Sequence, residues 1–253
     1  MRHKPTDFLT SLAKGLSVIE TFSAERSRLA ISEVSMATGL DRATARRCLL
    51  TLFELGYAEY DGKYFRLTPR ILRLGTASIA TMPLPRIVQP WLDKLSTELG
   101  QSTSVSILDD WEIVYLARAA QQRLMSINLV PGSRLPASCA SMGRVLLSHL
   151  PESQVRSILK KHPLQKRTAY SITSIDAFLH ALQNVRRDGY AIVDQEIELG
   201  LRSIAVPLYD ARNNIAAAMN VGVAAIHSNA LELRSLYLDK MLQVQRAIRP
   251  LII

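Results

Sequence analysis

Arg42, Thr44, Arg46 and Arg47 fall within the run RATARR, directly ahead of the apolar stretch CLLTLF. Side chains four residues apart stand one turn apart on a helix. A guanidinium pairs bidentately with the major-groove edge of guanine or with a phosphate. The chemistry on offer is recognition of a polyanion rather than bond-making. Arg42, Thr44 and Arg46 sit where a helix start can meet base edges. Arg47, with Lys63 and Arg66 further along, suits phosphate contacts, which position a protein without reading sequence.

The surrounding residues predict the elements that would hold these groups. The segment ISEVSMATGLDRATARRCLLTLFELGY (31–57) reads as two short helices joined at Gly39-Leu40. Ile31, Val34, Met36, Cys48, Leu49, Leu52 and Leu55 recur at helical spacing, and Ser32 and Asp41 are the expected N-caps. Leu9 to Phe22 carries an apolar stripe of Leu9, Leu12, Ala13, Leu16 and Ile19, again helical. After Gly56 the pattern becomes YAEY, Asp61-Gly62, KYFRL, the signature of a hairpin with a two-residue turn. Three helices and a hairpin predict a winged helix-turn-helix over 8–68, whose second paired helix enters a DNA groove.

Composition bounds the rest. The 253 residues suffice for two modest domains, and 48% hydrophobic with 21% charged residues is an ordinary globular balance. No apolar run reaches the roughly 18 residues of a membrane span, and no signal peptide is read at the start. Cys48 and Cys139 supply neither a disulfide framework nor metal-ligand spacing, so a reducing cytoplasm, no metal and no cofactor are expected. The net charge of +9 suits a polyanionic partner. It is spread, however, with 12 Lys/Arg against 8 Asp/Glu up to residue 81 and 19 against 14 beyond it. Only local placement singles out the front.

A linker helix and hinge are expected over 69–83, where ILRLGTASIAT runs up to Pro83 and Pro85. The remainder, 84–253, reads as an α+β domain. A helix from Leu84 to Leu99 precedes the strictly alternating QSTSVSILD, then EIVYLARA and RLMSINLV as strands. Helices over SMGRVLLSHL, Glu152 to Lys161 and Ile175 to Asp188 lead to three more strands, GYAIVD, SIAVPLYD and NIAAAMNVGV, and a last helix near Ala230 to Arg249. An antiparallel sheet of about six strands results. The loop VPGSRLPASCAS feeds a helix beginning near Ser141, whose free N–H groups and dipole suit a carboxylate. Ser138, Cys139, Ser141 and Arg144 are candidates there, with room left by Ala216 to Ala218, Met219 and Val221. The basic loop Lys160 to Arg167 reads as a solvated surface.

With both halves in view, the chain resembles IclR-type bacterial transcriptional regulators, which pair a winged helix with an effector domain related to the GAF fold. The resemblance rests on Gly189, Glu196, Ser203, Ile204, Ala205, Leu208, Tyr209 and Asp210 in GYAIVDQEIELGLRSIAVPLYD. One position departs: Val193 stands where the family has Asp or Ser, with Asp194 beside it. WEIVYLARAA and GSRLPASCASMGRVLL look like the subgroup controlling protocatechuate, 4-hydroxybenzoate and β-ketoadipate catabolism. The resemblance implies a small carboxylate effector, aromatic or derived from an aromatic. It places effector contacts on Ser141, Met142, Ser203, Met219 and Val221, with Gly143, Arg144 and Asp194 completing the candidate set. Three of these are more apolar or bulkier than in glyoxylate-binding relatives, which fits a larger, flatter ligand. It further implies homodimers through the DNA-binding region, often paired into tetramers.

Two other readings compete. An enzyme would use Cys139 as nucleophile with His149 or His227 as base, yet no nucleophile elbow or phosphate loop accompanies them. A pure assembly module would share the same strands and helices but bind no ligand.

Overall fold

The structure is a computed structural model that describes residues 7–23, 26–75, 82–121, 129–226 and 229–252. The chain divides after Thr81 into two compact units.

In the first unit, α1 (Thr10–Glu20), α2 (Ile31–Thr38) and α3 (Arg42–Glu54) are followed by β1 (Ala58–Tyr60) and β2 (Phe65–Leu67). Val18, Val34, Ala45, Leu49, Leu52, Ala58 and Phe65 meet in one core. Helix α2 starts one residue before the expected cap: its N-cap is Ala30 rather than Ser32. The Glu33 carboxylate satisfies the Ala30 N–H at 2.7 Å. Gly39, at φ +70°, then ends the helix in the left-handed region open to glycine. Asp41 caps α3 as expected. Met36 and Leu55, counted among the apolar positions, are 82% and 53% exposed and lie outside the core.

The hairpin is present, with a different turn. Tyr60 pairs with Phe65, so the loop spans four residues, Asp61 to Tyr64, instead of two. Asp61 Oδ1 accepts from the N–H groups of Lys63 (2.9 Å) and Tyr64 (2.7 Å), an Asx-type closure that replaces the tight Asp-Gly turn. Leu29 and Phe65 exchange backbone hydrogen bonds of 3.0 and 2.8 Å, tying the segment before α2 to the wing.

The second unit is one antiparallel sheet with helices on both faces. The strands are β3 (Ser102–Asp109), β4 (Glu112–Ala119), β5 (Arg134–Pro136), β6 (Ala191–Asp194), β7 (Leu201–Tyr209) and β8 (Ile215–Ala224), in spatial order β5-β4-β3-β8-β7-β6. The helices are α4 (Pro83–Leu99), α5 (Ser141–Ser148), α6 (Glu152–Lys161), α7 (Ile175–Asp188) and α8 (Glu232–Ile248). Six strands are found, but the expected strand over RLMSINLV falls mostly outside the described residues, and β5 forms in a segment read as loop. Residues 72–75 of the expected linker helix are helical, and 76–81 lie outside the described residues.

Each face has its own core. Val88, Leu92, Val105, Ala117, Met219, Val221 and Met241 pack with α4 and α8 on one side. Ile113, Tyr115, Met142, Val145, Phe178, Ala205 and Ala218 pack with α5 and α7 on the other. Being buried on both sides, β7 and β8 lose the apolar-polar alternation that marks a one-sided strand. No helix among the described residues is long and apolar enough to cross a membrane.

Candidate DNA-contacting surface and effector pocket

On α3 the arginines divide from the threonine between them. Arg42, Arg46 and Arg47 are exposed, and exposed Ala43 lies on the same arc, leaving no bulk between the cations. Thr44, expected to meet a base, is instead 7% exposed. Its N–H and Oγ1 both donate to the Asp41 carboxylate at 2.8 Å. Its Oγ1 also accepts from Arg47 Nη2 at 3.3 Å. The hydroxyl is therefore spent on the helix cap, and Thr44 leaves the set of contact residues. These Thr44 hydrogen bonds, the backbone one foremost, hold the Asp41 carboxyl below its usual range.

The wing adds cations in two states. Lys63 Nζ lies 5.0 Å from the centre of the Tyr64 ring, and the Arg28 guanidinium lies 4.2 Å from the same centre. Arg28 also stands 3.8 Å from Asp61. Sequence reasoning missed Arg28, because it reaches the wing only through the Leu29–Phe65 pairing, a contact no local pattern signals. Arg66 faces Glu59 across the hairpin and is paired with it at 2.6 Å. That pair is exposed, and such pairs are weak.

In the second unit, a small pocket opens between the start of α5 and the sheet. Ser141, Met142 and Ser203 line it, as expected. So do Arg118, Tyr115 and Asn220, none of which the sequence reading named. A β-bulge explains the first two. Val105 pairs with Ala117, but Ser106 pairs with Tyr115, so Leu116 is an extra residue on β4. Strict alternation would send Tyr115 and Arg118 to opposite faces; the bulge turns both into the pocket. Arg118 Nη1 donates to Ser104 Oγ at 3.0 Å, and no carboxylate pairs with it among the described residues. Burial pushes the Tyr115 hydroxyl up to about 12, so it stays a neutral donor.

Two polar atoms in this pocket are buried without a partner among the described residues: Ser141 Oγ and Asn220 Oδ1. Buried polar groups are nearly always satisfied, and those that are not call for an explanation. Helix α5 has no side-chain cap at its start, and Ala140, Ser141 and Met142 border the same space.

Five expected effector contacts are placed elsewhere. Met219 and Val221 belong to the core under α4 and α8, on the opposite face of the sheet. Strand side chains alternate, so a slip of one residue exchanges faces; Asn220 and Gly222 are the residues that look into the pocket. Asp194 pairs with Arg202 at 2.6 Å, and its register neighbours put it on that same far side. Val193, opposite Ser203, takes the pocket-side position. Arg144 is buried in an ion pair with Glu196 at 2.5 Å, and its Nε donates to the Ser138 carbonyl at 3.2 Å. Its charge is thus already matched. A Cβ on Gly143 would come within 2.1 Å of the Ala137 carbonyl oxygen, so this glycine serves close packing of α5 on the turn Ala137–Cys139. Period and composition could have flagged Asn220, the one amide in the run NIAAAMNVGV after its opening residue; nothing local flags the bulge.

Cys139 borders the pocket, but burial pushes its thiol up, away from the reactive thiolate. Its hydrogen-bond contact is Ser138 Oγ at 3.8 Å. His149 is engaged with Tyr209 and the Val145 carbonyl, and His227 lies outside the described residues. Among the described residues, no base pairs with the Cys139 thiol.

Comparison with known proteins places this geometry. Residues 11–62 match the model of the IclR helix-turn-helix domain, and 76–249 that of the bacterial transcriptional regulator IclR C-terminal domain. The Pca regulon regulatory protein of Pseudomonas putida is 41% identical over 95% of this chain and 83% of its own. A crystal structure of an IclR family transcriptional regulator from Brucella abortus superposes with a TM-score of 0.83 at 26% identity, covering 96% of this chain and 93% of that one. A complex of 3-hydroxybenzoic acid with a double mutant of the PobR transcription factor inducer-binding domain from Acinetobacter gives a TM-score of 0.62 at 32% identity, over 66% of this chain and 98% of that one.

Proposed function

This chain is a member of the IclR family of bacterial transcriptional regulators, not an enzyme, and from that premise we propose a specific division of labour. The first unit binds operator DNA through the exposed face of α3. Arg42 and Arg46 reach base edges, and Arg47, Lys63 and Arg28 neutralise phosphates. The second unit senses a small carboxylate in the pocket between α5 and the sheet. Its relatives regulate the Pca regulon or bind a hydroxybenzoate, which supports control of aromatic-acid catabolic genes.

One observation carries the sensor reading. Among the described residues, Ser141 Oγ and Asn220 Oδ1 are buried without a partner in the same pocket that holds Arg118, which no carboxylate pairs. A ligand with polar groups satisfies all three at once. Self-association as a dimer, and pairing into a tetramer, belongs to the same proposal. Its support on the first unit is the exposed apolar row Phe8, Leu9, Leu12 and Leu16. Operator DNA as partner supports a cytoplasmic location.

Effector and operator must then influence each other's affinity by the same factor. The test is a melting curve of the full chain with protocatechuate, 4-hydroxybenzoate and β-ketoadipate. It is run alongside operator binding to DNA upstream of aromatic-acid catabolic genes. A ligand bound only by the folded state raises the melting temperature. If no acid does so at millimolar concentration, the sensor reading fails; if no operator is retained, the regulator reading fails.

A further inference from the structure

The wing holds two aromatic residues side by side, and packing accounts for one of them. Leu29 and Phe65 form an antiparallel bridge and both bury their side chains in the core of the first unit. Phe65 also stacks on the Tyr60 ring at 4.3 Å. Side chains alternate along extended chain, so the neighbours Arg28 and Tyr64 stand on the outer side of the wing. Tyr64 is half-buried there and lies outside the core. Among the described residues its hydrogen bonds run through its backbone N–H and carbonyl, and its hydroxyl makes none.

What the ring holds is charge. The Arg28 guanidinium and Lys63 Nζ, from separate segments, stand 4.2 and 5.0 Å from its centre. A cation within about 6 Å of an aromatic centre is attracted to the negative face of the ring. Carboxylates do less for these two. None pairs with Lys63 among the described residues, and Arg28 meets Asp61 at 3.8 Å with both groups exposed. Asp61 Oδ1 is meanwhile taken by the N–H groups of Lys63 and Tyr64. Arg66, the third cation of the wing, is engaged by Glu59 and stands apart from the ring. Long cationic side chains are among the costliest to order, and ordering them before binding removes that cost from the complex.

Resting on the reading that the first unit binds operator DNA, we propose that Tyr64 is a positioning residue for that binding. Its ring gathers Arg28 and Lys63 into one ordered cationic pair, which meets the phosphate backbone as a unit. The ring's π face does this, and the hydroxyl is dispensable. Phosphate contacts carry no sequence information, so Tyr64 sets the strength of DNA binding and leaves operator choice unchanged. Arg28 and Lys63 are then coupled through a third residue, although they come from segments on either side of α2 and α3.

Fluorescence anisotropy of the full chain tests this with two duplexes: one from the DNA upstream of an aromatic-acid catabolic gene and a scrambled one of equal length. Tyr64→Leu is expected to weaken both alike, by about fivefold, and to lower the slope of log affinity against log salt by about 1. Tyr64→Phe keeps the ring and should stay within about twofold of the unaltered chain. Replacing Tyr64 with pentafluorophenylalanine keeps the ring's size but reverses its quadrupole, so this variant should bind as weakly as Tyr64→Leu. It decides the matter even if Tyr64→Leu does not fold. With Tyr64 present, Arg28→Ala and Lys63→Ala should each cost about fivefold or more; with Leu in its place, about twofold or less. Wild-type affinity in the pentafluorophenylalanine variant, or equal costs of the two cation removals in both backgrounds, overturns this inference and leaves the regulator reading standing. If the unaltered chain binds neither duplex, both are overturned.

Discussion

The two polar surfaces of this protein are opposite in physical character. The α3 face and the wing hold their cations in water: Arg42, Arg46, Arg47 and Lys63 are all exposed. The pocket buries two polar atoms, Ser141 Oγ and Asn220 Oδ1, that have no partner among the described residues. Exposed cations bind a polyanion by roughly additive, salt-screened contributions. Buried unpartnered groups contribute through mismatch, because a wrong ligand leaves them unsatisfied. One surface is built for affinity that ionic strength can tune, and the other for discrimination.

The largest expected effect lies behind the pocket. Removing Glu196 by Glu196→Ala leaves Arg144 buried without a counter-charge, which should cost about 3–5 kcal/mol. Denaturant unfolding followed by tryptophan fluorescence reads this directly, since Trp91 and Trp111 are both in the second unit. A double variant, Arg144→Met with Glu196→Leu, should recover much of the loss. If the single and double variants are equally unstable, the pair is not what holds this region. Gly143→Ala is next, at about 1–3 kcal/mol, because its Cβ meets backbone that cannot swing aside.

On the DNA side, raising salt from 50 to 200 mM should weaken operator binding steeply. Lys63→Ala should lower the slope of log affinity against log salt by about 1 while leaving operator choice unchanged. Arg46→Ala should also relax sequence preference, by about 1–3 kcal/mol against a mismatched site. A flat salt response would remove the contrast drawn above.

The smallest effect is a pH dependence. The Asp41 carboxyl sits below its ordinary value of 3.8 because of its hydrogen bonds to Thr44. Since the folded value is the lower one, the cap's stabilisation is fully present above 3.8 and is lost as pH falls through the folded value. Thermal melts of wild type and Asp41→Ala should therefore differ at pH 7 and converge towards pH 2. A difference that persists undiminished at pH 2 would show that the cap does not act through its charge.

The helices, the wing and the arginine face were legible because each depends on neighbours within a few residues. Asp41 caps a helix three residues from the N–H it satisfies, and the apolar stripe repeats every turn. The pocket was legible only in part. Ser141, Met142 and Ser203 do line the pocket, whereas Met219, Val221 and Asp194 face the other side of the sheet, each one residue from a pocket-side position. In a strand buried on both sides, alternation carries little signal to fix the face. Thr44 and Arg144 misled for another reason: residue type announces a capacity to bond, not whether a partner inside the protein has already taken it up.

By itself, then, the sequence determined the order and kind of the elements, the cationic helix face and the family, since periodicity, capping and charge spacing are properties of short stretches. Tertiary structure alone decided that Leu116 bulges to bring Tyr115 and Arg118 together, that Arg28 joins the wing, and that Glu196 cancels Arg144. Those outcomes depend on which distant segment returns to pair with which, and no local pattern encodes the partner.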